Sequence, residues 1–312
     1  MDSLPDMPLL TISSPATIEK CSKLATHPSD IFICSYPKSG TTWMQHIVIS
    51  LLLLHREKNG RNSSTLSYDH VSDFAPFFEI DPHWNESGII PQIQDRHNQL
   101  GRRVFNTHLR GDMLPGGAPK KSKFIYITRS PLDVCVSFYH HLSHQMEGCY
   151  EGSLNEFYDD WIDGKIPFGT WPDHLLSYAS LVANKDVGLF SYEEMIGDLE
   201  ESVDRLVHFL ELDDYLTKED VKDILPLFSF DSMKKDLKKF QPKSVKWKGN
   251  FTFLRKGTIG DEKDMLSNEQ RLQFKANLDS INFFEKIALQ FEKSKKTSKQ
   301  YTKCVQKFMK SS

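Results

Sequence analysis

IFICSYPKSGTTWMQHIVISLLLL, residues 31–54, is a short apolar run, a turn of Pro, Ser, Gly and Thr, and an apolar segment at helical spacing. The pattern predicts strand, loop, helix. Ile31 to Cys34 are apolar or β-branched, as in a strand buried on both faces. Pro37 ends the run. Ser39, Gly40, Thr41 and Thr42 then turn the chain and leave unpaired amide N–H groups at a helix start, which is an anion-binding arrangement. With Lys38 as a mobile cation and two threonine hydroxyls as donors, the natural guest is a phosphate or a sulfate.

Other readings of the loop stay open at this point. A GxxxxGK[ST] nucleotide loop places Lys after its last Gly, whereas Lys38 precedes Gly40, which argues against an ordinary ATP or GTP site. A Ser/Thr-rich turn is also the ordinary N-cap of a helix. Trp43 favours a ligand, because an aromatic directly after an anion loop offers a stacking face to a purine.

The 312-residue chain is long enough to bury the core of one large α/β domain, and no linker divides it. A net charge of −3 gives no global basic field, so no nucleic-acid partner is expected and any polyanion site is local. Five cysteines (21, 34, 135, 149 and 304) form no CxxC pair and suit reduced thiols. Ile47 to Leu54 is the longest apolar run, too short to span a bilayer, and no signal pattern opens the chain. The expectation is a cytosolic protein without a membrane partner.

Taken in order, residues 1–28 read as a Pro-punctuated surface lead-in and Arg56 to Ser67 as a loop. Residues 68–100 read as an irregular aromatic stretch (Phe74, Phe77, Phe78, Trp84) of the kind that lines pockets. Strands are expected at Arg102–Asn106, ending in Thr107, His108 and Leu109, at Lys123–Thr128, and at Val187–Phe190. Ser130 is a plausible N-cap, with Pro131 at the first position of a helix running to His144. Helices are also expected at 154–162, 172–182 and 199–210, after the Thr217/Asp220 cap, and after the Ser267/Gln270 cap. Strands alternating with helices predict a mainly parallel sheet covered on both faces. From Lys234 to Lys256 the chain carries eight Lys and one Arg against one Asp, interleaved with aromatics. This is either a solvated face or a segment that closes over a charged ligand.

Taken together, YPKSGTTW (36–43), THL (107–109), RSPLDVCVSFYHH (129–141), SYEEM (191–195), SFDSM (229–233) and FLRKGTIGD (253–261) resemble, in order, the cytosolic sulfotransferase family. The resemblance implies a single α/β domain with a mainly parallel central sheet, placed at 29–292 after the lead-in; the lysine-rich, apolar-poor composition of 293–312 predicts a disordered tail. It implies transfer of a sulfuryl group from 3′-phosphoadenosine 5′-phosphosulfate (PAPS) to a hydroxyl or amine of a small apolar molecule, with no metal. Matched residue by residue, the 5′-phosphosulfate loop falls on Lys38, Ser39, Gly40, Thr41 and Thr42, and the adenine-stacking aromatics fall on Trp43 and Phe230. The 3′-phosphate ligands fall on Arg129, Ser137, Arg255, Lys256 and Gly257. Tyr192 approaches the adenine, and Phe228, Ser229, Met233, Phe253 and Leu254 complete the cofactor motifs. The catalytic set is His108 as general base, with Lys38 and Ser137. Phe77 and Tyr139, with Asn106 and His108, are the acceptor-side candidates. His140, His141 and His144 lie at helical spacing; with no carboxylate or Cys pattern beside them they read as neighbours of the acceptor pocket rather than zinc ligands.

Three positions depart from the family pattern. Asn106 stands where the family has a lysine that contacts the sulfuryl group, with Arg110 as the nearby cation that could substitute. Phe228 stands where it has a threonine. GDEKD at 260–264 replaces GDWKN, and the family's KxxxTVxxxE dimer motif is missing, which leaves a homodimer in doubt. The alternative to an active enzyme is therefore a protein that binds PAPS, or its product 3′-phosphoadenosine 5′-phosphate (PAP), with little turnover.

Overall fold

A computed structural model describes residues 7–60, 67–117 and 122–292. Four strands form an all-parallel sheet: β1 (Ile31–Ser35), β4 (Val104–Thr107), β5 (Lys123–Thr128) and β6 (Val187–Ser191), in the order β4-β1-β5-β6. Between β1 and β4, β2 (Trp84–Asn85) and β3 (Gly88–Ile89) make a small antiparallel pair. Side chains of alternate strand residues point to opposite faces, and two separate cores follow. Phe32, Cys34, Phe105, Phe124 and Tyr126 face one core with the helices Pro131–His144, Leu154–Ile162 and Trp171–Ala179. Ile31, Ile33, Val104, Ile125 and Ile127 face the other with Thr41–Lys58 and Leu199–Phe209. Every residue of β1 is buried, as its sequence requires.

Strand order places the site. The chain leaves β1 to pair β4 on one side and β5 on the other, so the connections diverge at the C-terminal end of β1. Such a divergence leaves a crevice where α/β sheets bind ligands. At the strand starts, Arg103 Nε donates to Asp30 Oδ1 at 2.7 Å and locks β4 to β1.

Several elements differ from expectation. The helix Thr41–Lys58 runs through the expected loop start at Arg56 to Lys58. Residues 61–66 of that expected loop, and the expected disordered tail at 293–312, lie outside the described residues. The lead-in holds a helix, Pro15–Ser22, capped by Ser14, and it buries Ile18 and Cys21 in the core rather than running over the surface. The aromatic stretch contains the helix Pro91–Leu100, opened by a proline and closed by Gly101 at φ 75°; it buries Ile93, His97 and Leu100 at helical spacing, but the polar His97 leaves only two apolar residues on that stripe. β4 begins at Val104 instead of Arg102; Arg103, just before it, gives its carbonyl to the Ile31 N–H at 2.9 Å and its side chain to Asp30. Ser130 makes no side-chain cap; its N–H donates to Glu193 Oε1 at 2.8 Å. After Asn268–Ser280 the chain turns at Asn282 (φ 52°) into a further helix, Phe283–Glu292.

Phe32 is the centre of the first core. Its ring stacks on Phe105 at 5.1 Å and Phe124 at 4.8 Å and meets Phe78 edge-on at 5.4 Å. Phe32→Ala is expected to cost about 3–5 kcal/mol, read as a lowered urea midpoint with an unchanged slope. A loss below about 1 kcal/mol would mean that the three neighbouring rings collapse into the cavity.

Candidate active site

The connections after β1, β4, β5 and β6 surround one cavity of about 260 Å³. The loop after β1 supplies its floor. Lys38 holds a left-handed backbone (φ 67°), uncommon for a side chain with a Cβ. Gly40 follows at φ 103°, and a Cβ there would lie 2.8 Å from the Tyr192 ring. Only glycine lets this turn enter the helix while Tyr192 stays against it. Ser35 Oγ and Thr41 Oγ1, 2.6 Å apart, tie the ends of the loop together. Ser39 Oγ is buried without a protein partner.

Lys38 borders the cavity and its ammonium is enclosed by protein. No carboxylate pairs with it among the described residues. Its Nζ lies 4.0 Å from the Phe253 ring centroid and 3.4 Å from His141 Nδ1. Burial, with the positive charges of Arg129 and Arg255 behind it, lowers its pKa from 10.5 to about 7. Arg129 lies over the Tyr192 ring at 4.4 Å and donates to the Lys38 carbonyl at 3.1 Å. Arg255 and Lys256 both pair with Asp261, a carboxylate on the same wall. Gly257 (φ 66°) brings its backbone against Phe230, where a Cβ would fall 2.3 Å from the ring.

His108 is held from three directions. Its Nδ1–H donates to the Ser35 carbonyl at 2.8 Å, leaving Nε2 unprotonated. Its backbone N–H donates to Glu79 Oε1 at 2.5 Å, and its carbonyl accepts from His174 Nε2–H at 3.0 Å. His174 Nδ1 in turn accepts from Tyr126 O–H at 3.1 Å. Burial keeps His108 neutral, with its pKa lowered to about 4; the Ser35 hydrogen bond opposes this and Lys38 adds to it. The ring touches Phe77 and Phe168, each at 5.3 Å. Such a group can take a proton from a hydroxyl or amine in an apolar pocket beside a bound anion.

Most of the residues expected from the sequence meet on this cavity: Lys38, Gly40, Thr41, Thr42 and Trp43 from the loop; Asn106 and His108 after β4; Arg129 and Ser137 after β5; and Tyr192 after β6. Phe228, Phe230, Met233, Phe253, Leu254, Arg255, Lys256, Gly257 and Phe77 also line it. Three of the expected residues do not. Ser39 is buried in the loop, Ser229 is the exposed N-cap of Phe230–Lys235, and Tyr139 packs on Tyr150 and Phe157 in the core. Trp43 Nε1–H donates to the Phe228 carbonyl at 2.8 Å, so Phe228 takes part through its backbone. Asn106 Nδ2 donates to the Ala75 carbonyl at 2.8 Å, a carbonyl that also accepts from Gln45 at 2.7 Å. Arg110 does not line the cavity; it pairs with Asp112 at 2.8 Å and cannot replace a cation at 106. Of the three clustered histidines only His141 reaches the wall, and no group of three metal-ligating side chains occurs among the described residues.

Glu79, His174 and Asp261 escaped the sequence reading. Glu79 left a trace, a lone carboxylate inside the aromatic run FAPFFEI, and Asp261 closes FLRKGTIGD. His174 left none.

A sequence profile described as the sulfotransferase domain matches residues 28–303. Sulfotransferase 1C2 of Rattus norvegicus is 30% identical over 266 residues, covering 83% of this chain and 86% of the relative. The amine sulfotransferase of Oryctolagus cuniculus is 30% identical over 263 residues, covering 82% of each. A mouse sulfotransferase solved with PAP superposes with a TM-score of 0.69 at 22% identity, covering 98% of both chains. Retinol dehydratase, solved with retinol and PAP, gives 0.68 at 20% identity, covering 85% of this chain and 86% of its own. These two structures share the fold.

Glu79 provides a test of the site's electrostatics. Burial raises its pKa from 4.5 to about 8, against the His108 N–H, which favours the carboxylate. The folded state thus keeps a proton that the unfolded chain releases. Its contribution to stability is complete below pH 4.5 and is lost as pH rises through about 8. Glu79→Gln is expected to narrow the gap between urea midpoints measured at pH 6 and pH 9. An unchanged gap would mean that the carboxyl is already ionised at pH 6.

Proposed function

Since the chain belongs to the sulfotransferase family and is by that membership a PAPS-dependent sulfotransferase, we propose that it moves the sulfuryl group of PAPS onto a hydroxyl or amine of a small apolar acceptor, with His108 as general base. The observation that carries this reading is an enclosed lysine with no carboxylate, flanked by two arginines, on the same cavity as a neutral histidine with a free Nε2. A double-ended anion beside an apolar pocket is what such a cavity suits.

In this reading His108 Nε2 takes the acceptor's proton as the acceptor oxygen or nitrogen bonds to sulfur. The bond between sulfur and the bridging oxygen breaks, and its electron pair stays on the phosphate of PAP. Lys38 and the loop N–H groups stabilise that growing negative charge. Arg129, Ser137, Arg255, Lys256 and the Gly257 backbone hold the 3′-phosphate, and Trp43, Tyr192 and Phe230 enclose the base. Phe77 and Phe168 pack on His108 and form the apolar wall for the acceptor. Residues 29–292 form the catalytic domain. A cytosolic location belongs to the proposal, supported by four described cysteines that are all free thiols; among the described residues no helix is long and apolar enough to cross a membrane.

One observation favours a second reading, a PAP-binding protein with slow chemistry: the amide of Asn106 is engaged by Ala75 and brings no charge. Two experiments discriminate. Release of PAP from PAPS, measured across phenols, aliphatic alcohols, sterols and amines, should depend on acceptor and fall by at least about a hundredfold in His108→Ala, while PAP still raises the melting temperature of that variant. Acceptor-independent or absent release with PAP binding intact would favour the second reading.

Lys38 gives the other test. Its pKa of about 7 in the free site should return toward 10.5 when an anion arrives. PAP binding at pH 8 should then take up a proton, and affinity should fall as pH rises above 7. Calorimetry in buffers of different ionisation enthalpy reads this directly. Uptake that persists in Lys38→Met would assign the proton to another group.

A further inference from the structure

We propose that His141 is a further catalytic residue, a neutral N–H donor to the sulfuryl oxygens as the group passes from phosphate to acceptor; the inference rests on the transferase reading above. In that transfer the three outer oxygens of sulfur carry charge that needs donors fixed in place beforehand. Lys38 is one. Two other candidate donors are engaged elsewhere: Asn106 Nδ2 donates to the Ala75 carbonyl, and Arg110 pairs with Asp112 away from the cavity.

His141 is placed for the task. It comes from the helix Pro131–His144 and lines the same cavity as His108, the first residue after β4. Lys38 Nζ approaches its Nδ1 at 3.4 Å. The lysine is a donor, so Nδ1 accepts and the ring proton sits on Nε2. Burial first, then the charges of Lys38 and His108, keep its pKa well below 6.5, and the ring is neutral at physiological pH. His141 and His108 line the same cavity as Lys38, and the 3.4 Å approach of Lys38 Nζ puts the His141 ring beside the phosphate-loop lysine. Trp247 at 5.0 Å and Phe253 at 5.9 Å, both from the basic aromatic segment, fix the ring from behind. Its neighbours on the helix serve other ends: His144 Nδ1 is bonded to the His140 carbonyl at 2.8 Å and its ring stacks on Phe251, and neither His140 nor His144 borders the cavity.

The experiment compares wild type, His141→Phe and His141→Gln in acceptor-dependent PAP release, with PAP binding followed by thermal shift. Phenylalanine keeps the ring contacts and removes the donor; glutamine restores an N–H. His141→Phe should lower kcat by about a hundredfold with acceptor KM and PAP binding within about threefold of wild type. His141→Gln should recover at least about tenfold of that loss. Asn106→Lys should also recover activity in the His141→Phe background, because residue 106 lines the same cavity as His108 and His141 and a lysine there adds a cation to it. A His141→Phe enzyme with kcat unchanged, or altered only in acceptor KM, would overturn the proposal and leave the transferase reading standing, with His141 a mere wall. A glutamine variant no better than phenylalanine would also overturn it. Wild type that binds PAP but releases none from PAPS with any acceptor would remove the transferase reading itself.

Discussion

β1 is closed in on every side: paired to β4 on one edge and β5 on the other, and packed by a separate core on each face. A strand so enclosed can carry no polar side chain in its middle, because an unpaired polar group there has no solvent and no partner. Polar chemistry can start only where the strand ends. All the features of the site follow from that constraint. The other three strands of the parallel sheet end close to the level of β1, so His108, Arg129 and Tyr192 arrive at one cavity simply by being the first residues beyond β4, β5 and β6.

The same constraint explains how His108 is oriented. Its Nδ1–H is taken by the carbonyl of Ser35, the last residue of β1, and its own carbonyl is taken by His174 from the helix beneath. Buried backbone groups must be satisfied, and here their satisfaction selects a tautomer. Structural hydrogen bonds and catalytic readiness are the same bonds. Glu79, by accepting the His108 N–H, fixes the residue from the opposite side.

Legibility from sequence follows the same division. β1, β5, the anion loop and the helices Pro131–His144 and Leu154–Ile162 were readable because burial on both faces, or on one helical stripe, leaves a periodic apolar signature. The helix Pro91–Leu100 was not, since its buried stripe of Ile93, His97 and Leu100, though at helical spacing, has a histidine in the middle and shows only two apolar residues in the sequence. The cavity's makeup was largely legible through the six motifs taken together, but which face each motif residue presents was not. Tyr139 and His141, two positions apart on one helix, go to the core and to the cavity respectively, and only the helix's rotation against its neighbours decides it. Asn106 shows the other limit: its identity was visible, but its engagement by Ala75 depends on a segment thirty residues away.

The cations of the cavity are not equivalent, and the difference bears on catalysis. Arg255 and Lys256 have Asp261, whose carboxyl they hold below its ordinary pKa against the effect of burial. A phosphate arriving there exchanges one anion for another, and the gain is modest. Among the described residues Lys38 has no such partner. Burial, the like charges of Arg129 and Arg255 and the Phe253 ring beside it lower its pKa to about 7, the mark of a charge destabilised by its surroundings. An anion that reaches Lys38 therefore relieves a cost the free protein carries, and relieves it most when negative charge on that anion is greatest. In sulfuryl transfer the charge on the leaving phosphate grows toward the transition state, so the relief is largest there. Binding energy that increases along the reaction coordinate lowers the barrier instead of deepening the ground state. On the proposed transferase reading, the carboxylate beside Arg255 and Lys256 and the unpaired charge of Lys38 would divide the labour, holding at the first two and catalysis at Lys38.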